Sequence, residues 1–130
     1  MVGVLLITHG NIGSALLEGA AHVLGVKPPN TRAVAVAATD DPQQVLERAR
    51  DEANAIDDGA GVLVMSDIFG ATPSNVGTRL LERGRVEGVA GVSLPMLVRA
   101  LAYRHLPLQQ VVVSVMEAGT RGQVNMRGDA

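Results

Sequence analysis

The stretch Val2-Gly3-Val4-Leu5-Leu6-Ile7, followed by Thr8-His9-Gly10-Asn11, decides the fold. An unbroken apolar run that stops at a polar Thr-His-Gly has the pattern of a parallel strand buried on both faces. Beyond it, Ile12, Ala15, Leu16, Gly19, Val23 and Leu24 recur at helical spacing and are expected to face inward. Asn11 stands where such a helix would be capped and Gly25 where it would stop.

The same strand-then-helix alternation repeats along the chain. Thr31 to Ala38 alternates with valines and reads as a second strand. Asp41-Pro42 opens a second helix with proline at its first position. Val45, Leu46, Ala49, Ala53 and Ile56 form its apolar face, and Asp57-Asp58-Gly59 ends it. Gly61 to Met65 is a third buried strand. Thr72-Pro73 opens a third helix, with Thr72 as N-cap. Val76, Leu80 and Leu81 point inward and Gly84 closes it. Val86 to Val92 is a fourth strand, and Pro95 opens a fourth helix through about Tyr103. The next segment is ambiguous. Val111-Val112-Val113-Ser114-Val115 has strand propensity, yet Leu108, Val111, Val112, Val115 and Met116 keep helical spacing behind Pro107. Periodicity outranks local propensity, so Pro107 to Ala118 is expected to be helical. Gly122 to Arg127 is then a short final strand or tail.

This order implies an α/β fold, with an open, mainly parallel sheet in the order 2-1-3-4 and helices on both faces. The chain of 130 residues reads as one domain over residues 1–130. Apolar residues make up 47%, enough for a sizeable core. Lys plus Arg number 11 against 13 Asp plus Glu, so no basic footprint for nucleic acid is present. One Tyr, one Phe and no Trp leave no stacking platform for bases. No apolar run approaches the ~18 residues of a membrane span. The start of the chain carries neither a basic leader nor an Ala-x-Ala site, so a cytoplasmic location is expected. The absence of cysteine excludes disulfides, thiolate catalysis and Cys-ligated metals. No His-Glu-x-x-His spacing supports a metal site. Gly10-Asn11-Ile12-Gly13 is not a dinucleotide fingerprint, and no Gly-Lys-Ser/Thr occurs.

In an open parallel sheet ligands bind at the carboxyl ends of the strands, where strand order reverses. In a 2-1-3-4 sheet that point lies between strands 1 and 3. The segments leaving those strands carry His9 and Asp67. A carboxylate on one ring nitrogen fixes the tautomer and leaves the other nitrogen nucleophilic. Both segments run into helix N-termini, whose free N–H groups attract a phosphoryl group. Gly10 and Gly70 allow backbone to approach a ligand closely. The constellation suits a histidine that accepts a phosphoryl group. Spacing alone leaves His9 open between that role and an ordinary loop residue, and Asp67 between orienting His9 and capping its own turn. His22, inside the first helix, and His105, in a loop, read as structural or solvated.

Val4-Leu5-Leu6-Ile7-Thr8-His9-Gly10 resembles the active-site strand of the mannose-family enzyme IIA domain of the bacterial phosphoenolpyruvate-dependent phosphotransferase system. Three further stretches are similar to that family in the same order. They are Gly61 to Asn75, with Asp67, Gly70, Thr72-Pro73 and Asn75; Gly91-Val92-Ser93-Leu94-Pro95-Met96-Leu97; and Glu117-Ala118-Gly119-Thr120-Arg121-Gly122. The resemblance implies that His9 is phosphorylated at Nε2 by the phosphocarrier HPr and passes the group to a histidine of a IIB component. Nδ1 would then face Asp67. Backbone near Gly10 and across Phe69, Gly70, Ala71 and Thr72 would cradle the phosphoryl oxygens, with no cofactor. It also implies a homodimer that exchanges the short C-terminal strand, and contact with the membrane only through a IIC/IID permease. With no IIB domain after Ala130, the IIB partner is expected to be a separate chain.

Ser93 departs from the family's usual Asn. Three other families are weighed against this one. Phosphoglycerate-mutase-like phosphatases place Arg before the histidine, where Thr8 stands. Tetrapyrrole metal chelatases need further metal-handling groups. The dihydroxyacetone-kinase phosphotransfer subunit shares the fold but tends to Ser-His-Ser. The phosphorylation state of His9 could also serve regulation, without any sugar moving.

Overall fold

A computed structural model of the chain describes residues 1–128. Strands β1 (Gly3–His9), β2 (Thr31–Val36), β3 (Val62–Ser66) and β4 (Val86–Ala90) form one sheet in the order β2-β1-β3-β4. All three pairings are parallel, with Leu6 opposite both Ala33 and Met65. Helices α1 (Ile12–Leu24), α2 (Pro42–Ile56), α3 (Thr72–Leu80), α4 (Leu94–Tyr103) and α5 (Leu108–Arg121) cover it. The expected sheet order and the helical reading of the 107–118 segment both hold.

Two cores lie on opposite faces of the sheet. Leu5 and Ile7 of β1 turn to Val45, Leu46, Ala49 and Ile56 of α2 and Val76 of α3. Val4 and Leu6 turn to Ala20 of α1, Leu97 of α4, and Val111 and Val115 of α5. Successive residues of one strand thus feed different cores, which is why β1 has no polar position before Thr8. Each fully buried side chain of this size contributes about 1.5–3 kcal/mol, so β1 is the strand the sheet can least lose.

Several boundaries and faces differ from the expectation. β2 stops at Val36 and β4 at Ala90. Helix α3 ends at Leu80, so Leu81 leaves it in extended backbone and stays exposed. Ile12 and Val23 on α1 are exposed, as is Ala15. The helix instead docks through Gly13, where an added Cβ would lie 3.2 Å from the Leu6 side chain and from Thr8 Oγ1. A glycine contact brings the helix close to the strand and rotates its face from the one apolar spacing suggests. Met116 on α5 is exposed, and Ala118 is buried in the following turn. Residues 122–128 form no strand with either edge of their own sheet, and a turn joins Gly128 N–H to Asn125 O at 2.8 Å.

Candidate functional site

β1 and β3 are neighbours with Ile7 opposite Ser66, so His9 and Asp67 leave the carboxyl edge side by side. His9 Nδ1 lies 2.8 Å from Asp67 Oδ2, and the His9 backbone N–H donates to the same oxygen at 3.1 Å. One carboxylate oxygen therefore holds both the ring and its backbone, which sets the ring's orientation. The Asp67 side chain is 12% exposed and that of His9 is 49% exposed. Burial pushes the Asp67 pKa up, but hydrogen bonds from the His9 ring, the His9 N–H and its own N–H outweigh it. The carboxyl is held below its ordinary value of 3.8. An ionised carboxylate only accepts, so Nδ1 carries the proton and the lone pair sits on Nε2. Nε2 makes no hydrogen bond among the described residues. The pair is thus an exposed imidazole whose basic nitrogen faces solvent and whose other nitrogen is backed by a negative charge.

Two turns frame it. Gly10 has φ +49° and donates its N–H to Val36 O at 2.9 Å. Gly70 has φ +92° with open space where a Cβ would sit, so the conformation and not crowding calls for glycine. Its N–H donates to Ser74 Oγ at 2.8 Å. Of the expected cradle, Gly10 and Gly70 therefore have their N–H groups already engaged. Those of Phe69, Ala71 and Thr72 make no hydrogen bond among the described residues. Phe69 is 81% exposed in the loop directly after Asp67.

The capping arrangement corrects two expectations. Asn11 occupies the N-cap position of α1, but its side chain caps nothing. Thr8, from the preceding strand, accepts from Gly13 N–H at 2.8 Å instead. At α3 the N-cap is Ala71, and Thr72 is the first helical residue. Here Ser74 reaches backward, accepting from Gly70 and donating to Ala71 O at 3.0 Å. Sequence reasoning overlooked both Thr8 and Ser74. The available signal was a hydroxyl one residue before the histidine and another directly after Pro73, beside turns that need side-chain acceptors. His22 and His105 are exposed on α1 and after α4. No group of three or more His, Asp or Glu among the described residues could hold a metal ion. Among the described residues no helix is long and apolar enough to cross a membrane.

The fold and the site define a doubly wound α/β domain with a carboxylate-backed, solvent-facing histidine at its topological switch point. Residues 3–116 match the family model described as the PTS system fructose IIA component, and the chain belongs to that family, the mannose-type IIA components of the sugar phosphotransferase system. The fructose-specific EIIA component of Bacillus subtilis is 32% identical over 114 residues, covering 86% of this chain and 77% of that protein. The mannose-specific EIIAB component of Escherichia coli K12 is 27% identical over 93% of this chain, which spans only 38% of that protein's length. A crystal structure of a phosphotransferase system component EIIA from Streptococcus agalactiae superposes with a TM-score of 0.86. It covers 98% of both chains at 22% identity and so bears on the fold alone.

Proposed function

We propose that the chain is a phosphoryl carrier in which His9 Nε2 accepts a phosphoryl group from HPr and hands it to a separate IIB component. The observation that carries this reading is the 2.8 Å contact between His9 Nδ1 and Asp67 Oδ2. In the forward step the Nε2 lone pair forms a bond to phosphorus while the donor's phosphorus–nitrogen bond breaks. The donor ring keeps the released electron pair. The Nδ1 proton stays in place, so the phosphorylated ring is cationic and Asp67 lies against that charge. Phe69, Ala71 and Thr72 offer free N–H groups for the phosphoryl oxygens, and the positive end of α3 adds to them. In the second step a IIB histidine attacks the same phosphorus and His9 leaves as the neutral Nδ1–H tautomer. His9 and Asp67 are the catalytic residues, and no cofactor takes part.

Incubation with enzyme I, HPr and phosphoenolpyruvate should add one acid-labile phosphoryl group. His9→Ala should abolish it, and labelling equal to wild type would reject the assignment. The same carrier can serve a IIC/IID permease pair or report phosphorylation state to a regulator. The chain acts in the cytoplasm, and as a homodimer. Val124 and Met126 are apolar, are 72% and 101% exposed, and lie on a tail that pairs with no strand of its own chain. A short apolar strand needs a sheet edge to add to, and the edge proposed is the partner's. Light scattering of a chain cut before Gly122 should show weaker dimers than the full chain.

A further inference from the structure

We infer that Ser74 is a positioning residue that shapes the phosphoryl-binding turn, by withdrawing the Gly70 N–H from it and leaving those of Ala71 and Thr72 to face the ligand. The inference rests on the phosphoryl-carrier reading of His9. Ser74 is 6% exposed, in the first turn of α3. Its hydroxyl makes two hydrogen bonds, both to the turn that follows Asp67. It accepts from Gly70 N–H at 2.8 Å and donates to Ala71 O at 3.0 Å. Both partners flank the one peptide linking Gly70 to Ala71, so the serine fixes that peptide's orientation. Pro73, directly before Ser74, offers no N–H of its own.

The turn would otherwise be loosely held. Gly70 has φ +92°, a region glycine reaches without preferring it, and nothing lies within 4 Å of where its Cβ would be. The Ser74 hydroxyl is the contact that selects this conformer. It acts as a capping box does, with a side chain inside the helix returning to a donor ahead of it. Here the donor reached is one residue earlier than the N-cap. Asp67 does not depend on this brace, because it is held by β3 behind it and by His9 beside it. The two halves of the site can therefore be separated experimentally.

Phosphoryl transfer from HPr is measured for wild type, Ser74→Ala, Ser74→Cys and Ser74→Thr. Cysteine fills the space with a weak acceptor. Threonine keeps the hydroxyl, and Ser74 lines a recess of about 120 Å³ together with Gly77 and Val64. Ser74→Ala and Ser74→Cys should slow transfer at least about tenfold, and Ser74→Thr should restore it. The ¹⁵N signal of His9 Nδ1 should stay unchanged throughout. Amide exchange at Gly70 should accelerate in the alanine and cysteine variants, with Gly10 unaffected. Unchanged exchange at Gly70 overturns the brace, whatever the transfer rates. Transfer as fast as wild type in the alanine or cysteine variant overturns its role in the reaction. Equal slowing in Ser74→Thr, or a changed Nδ1 signal, also overturns it, by pointing to general packing or to Asp67. A wild-type chain that takes up no phosphoryl group defeats the carrier reading itself, which sets that failure apart.

Discussion

At the carboxyl ends of the strands, the half-exposed His9 ring is held by the single, mostly buried carboxylate of Asp67. At the amino ends a buried arginine ties three segments together. Arg104, the residue that closes α4, is 6% exposed. Its Nε donates to Val2 O at 2.9 Å, Nη1 to Pro29 O and Nη2 to Asn30 O at 2.8 Å. Its own carbonyl accepts from Val2 N–H at 2.8 Å. Burial lowers its pKa from the ordinary arginine value, and the charge of Asp58 opposes that shift. With His9 as the proposed phosphoryl acceptor, stability and reactivity are placed apart on one sheet. The reacting end can keep a half-exposed imidazole because the opposite end holds the sheet closed.

The contrast fails if one end does the other's work. Asp67→Asn keeps the shape of the site and loses the charge behind Nδ1. It should slow phosphoryl transfer by about 10²–10⁴-fold. The melting temperature should move little, and a rate within about twofold of wild type would remove Asp67 from the reaction. Arg104→Ala should do the reverse. It strips buried carbonyls of their donor, at a cost of about 3 kcal/mol. That corresponds to a fall in Tm on the order of 10 °C, read by calorimetry. Transfer per folded molecule should stay at the wild-type rate, and a lowered rate with unchanged Tm would break the comparison.

The smallest effect concerns acid. A carboxyl whose pKa is lower in the folded state than in the unfolded chain stabilises the fold above the unfolded value. That contribution is lost as pH falls through the folded value. For Asp67 the loss belongs below its ordinary value of 3.8. Wild type minus Asp67→Asn stability should therefore not shrink from neutral pH down to about 4 and should shrink below it. A difference that already shrinks between pH 6 and 5 would contradict the direction of the shift.

The sheet order and the His9–Asp67 pairing were legible in the sequence. Both follow from features that repeat or sit at strand ends: two-sided apolar runs, glycine and proline stops, and polar residues where a run ceases. The face of α1 was not, because the contact that sets it is the absence of a side chain at Gly13, and apolar spacing cannot register an absence. The caps were misplaced for a related reason. Asn11 and Thr72 are the favoured residue types in the favoured places, yet Thr8 and Ser74 supply the hydroxyls from neighbouring positions. Side-chain reach across a turn depends on backbone angles that no single residue type declares. Arg104 was illegible altogether, since three of its partners lie more than seventy positions away.

That separation has a consequence for synthesis. β1 precedes the other three strands in the sequence and lies inside the sheet, yet Val2 is fastened on both its N–H and its carbonyl by a residue 102 positions later. During translation at about 5–20 residues per second, Arg104 follows Val2 by roughly 5–20 s. Throughout that interval the most apolar segment of the nascent chain has no finished seat. This domain can therefore complete its fold only after Arg104 has been made, and until then the apolar residues 2–7 lack their last fastening.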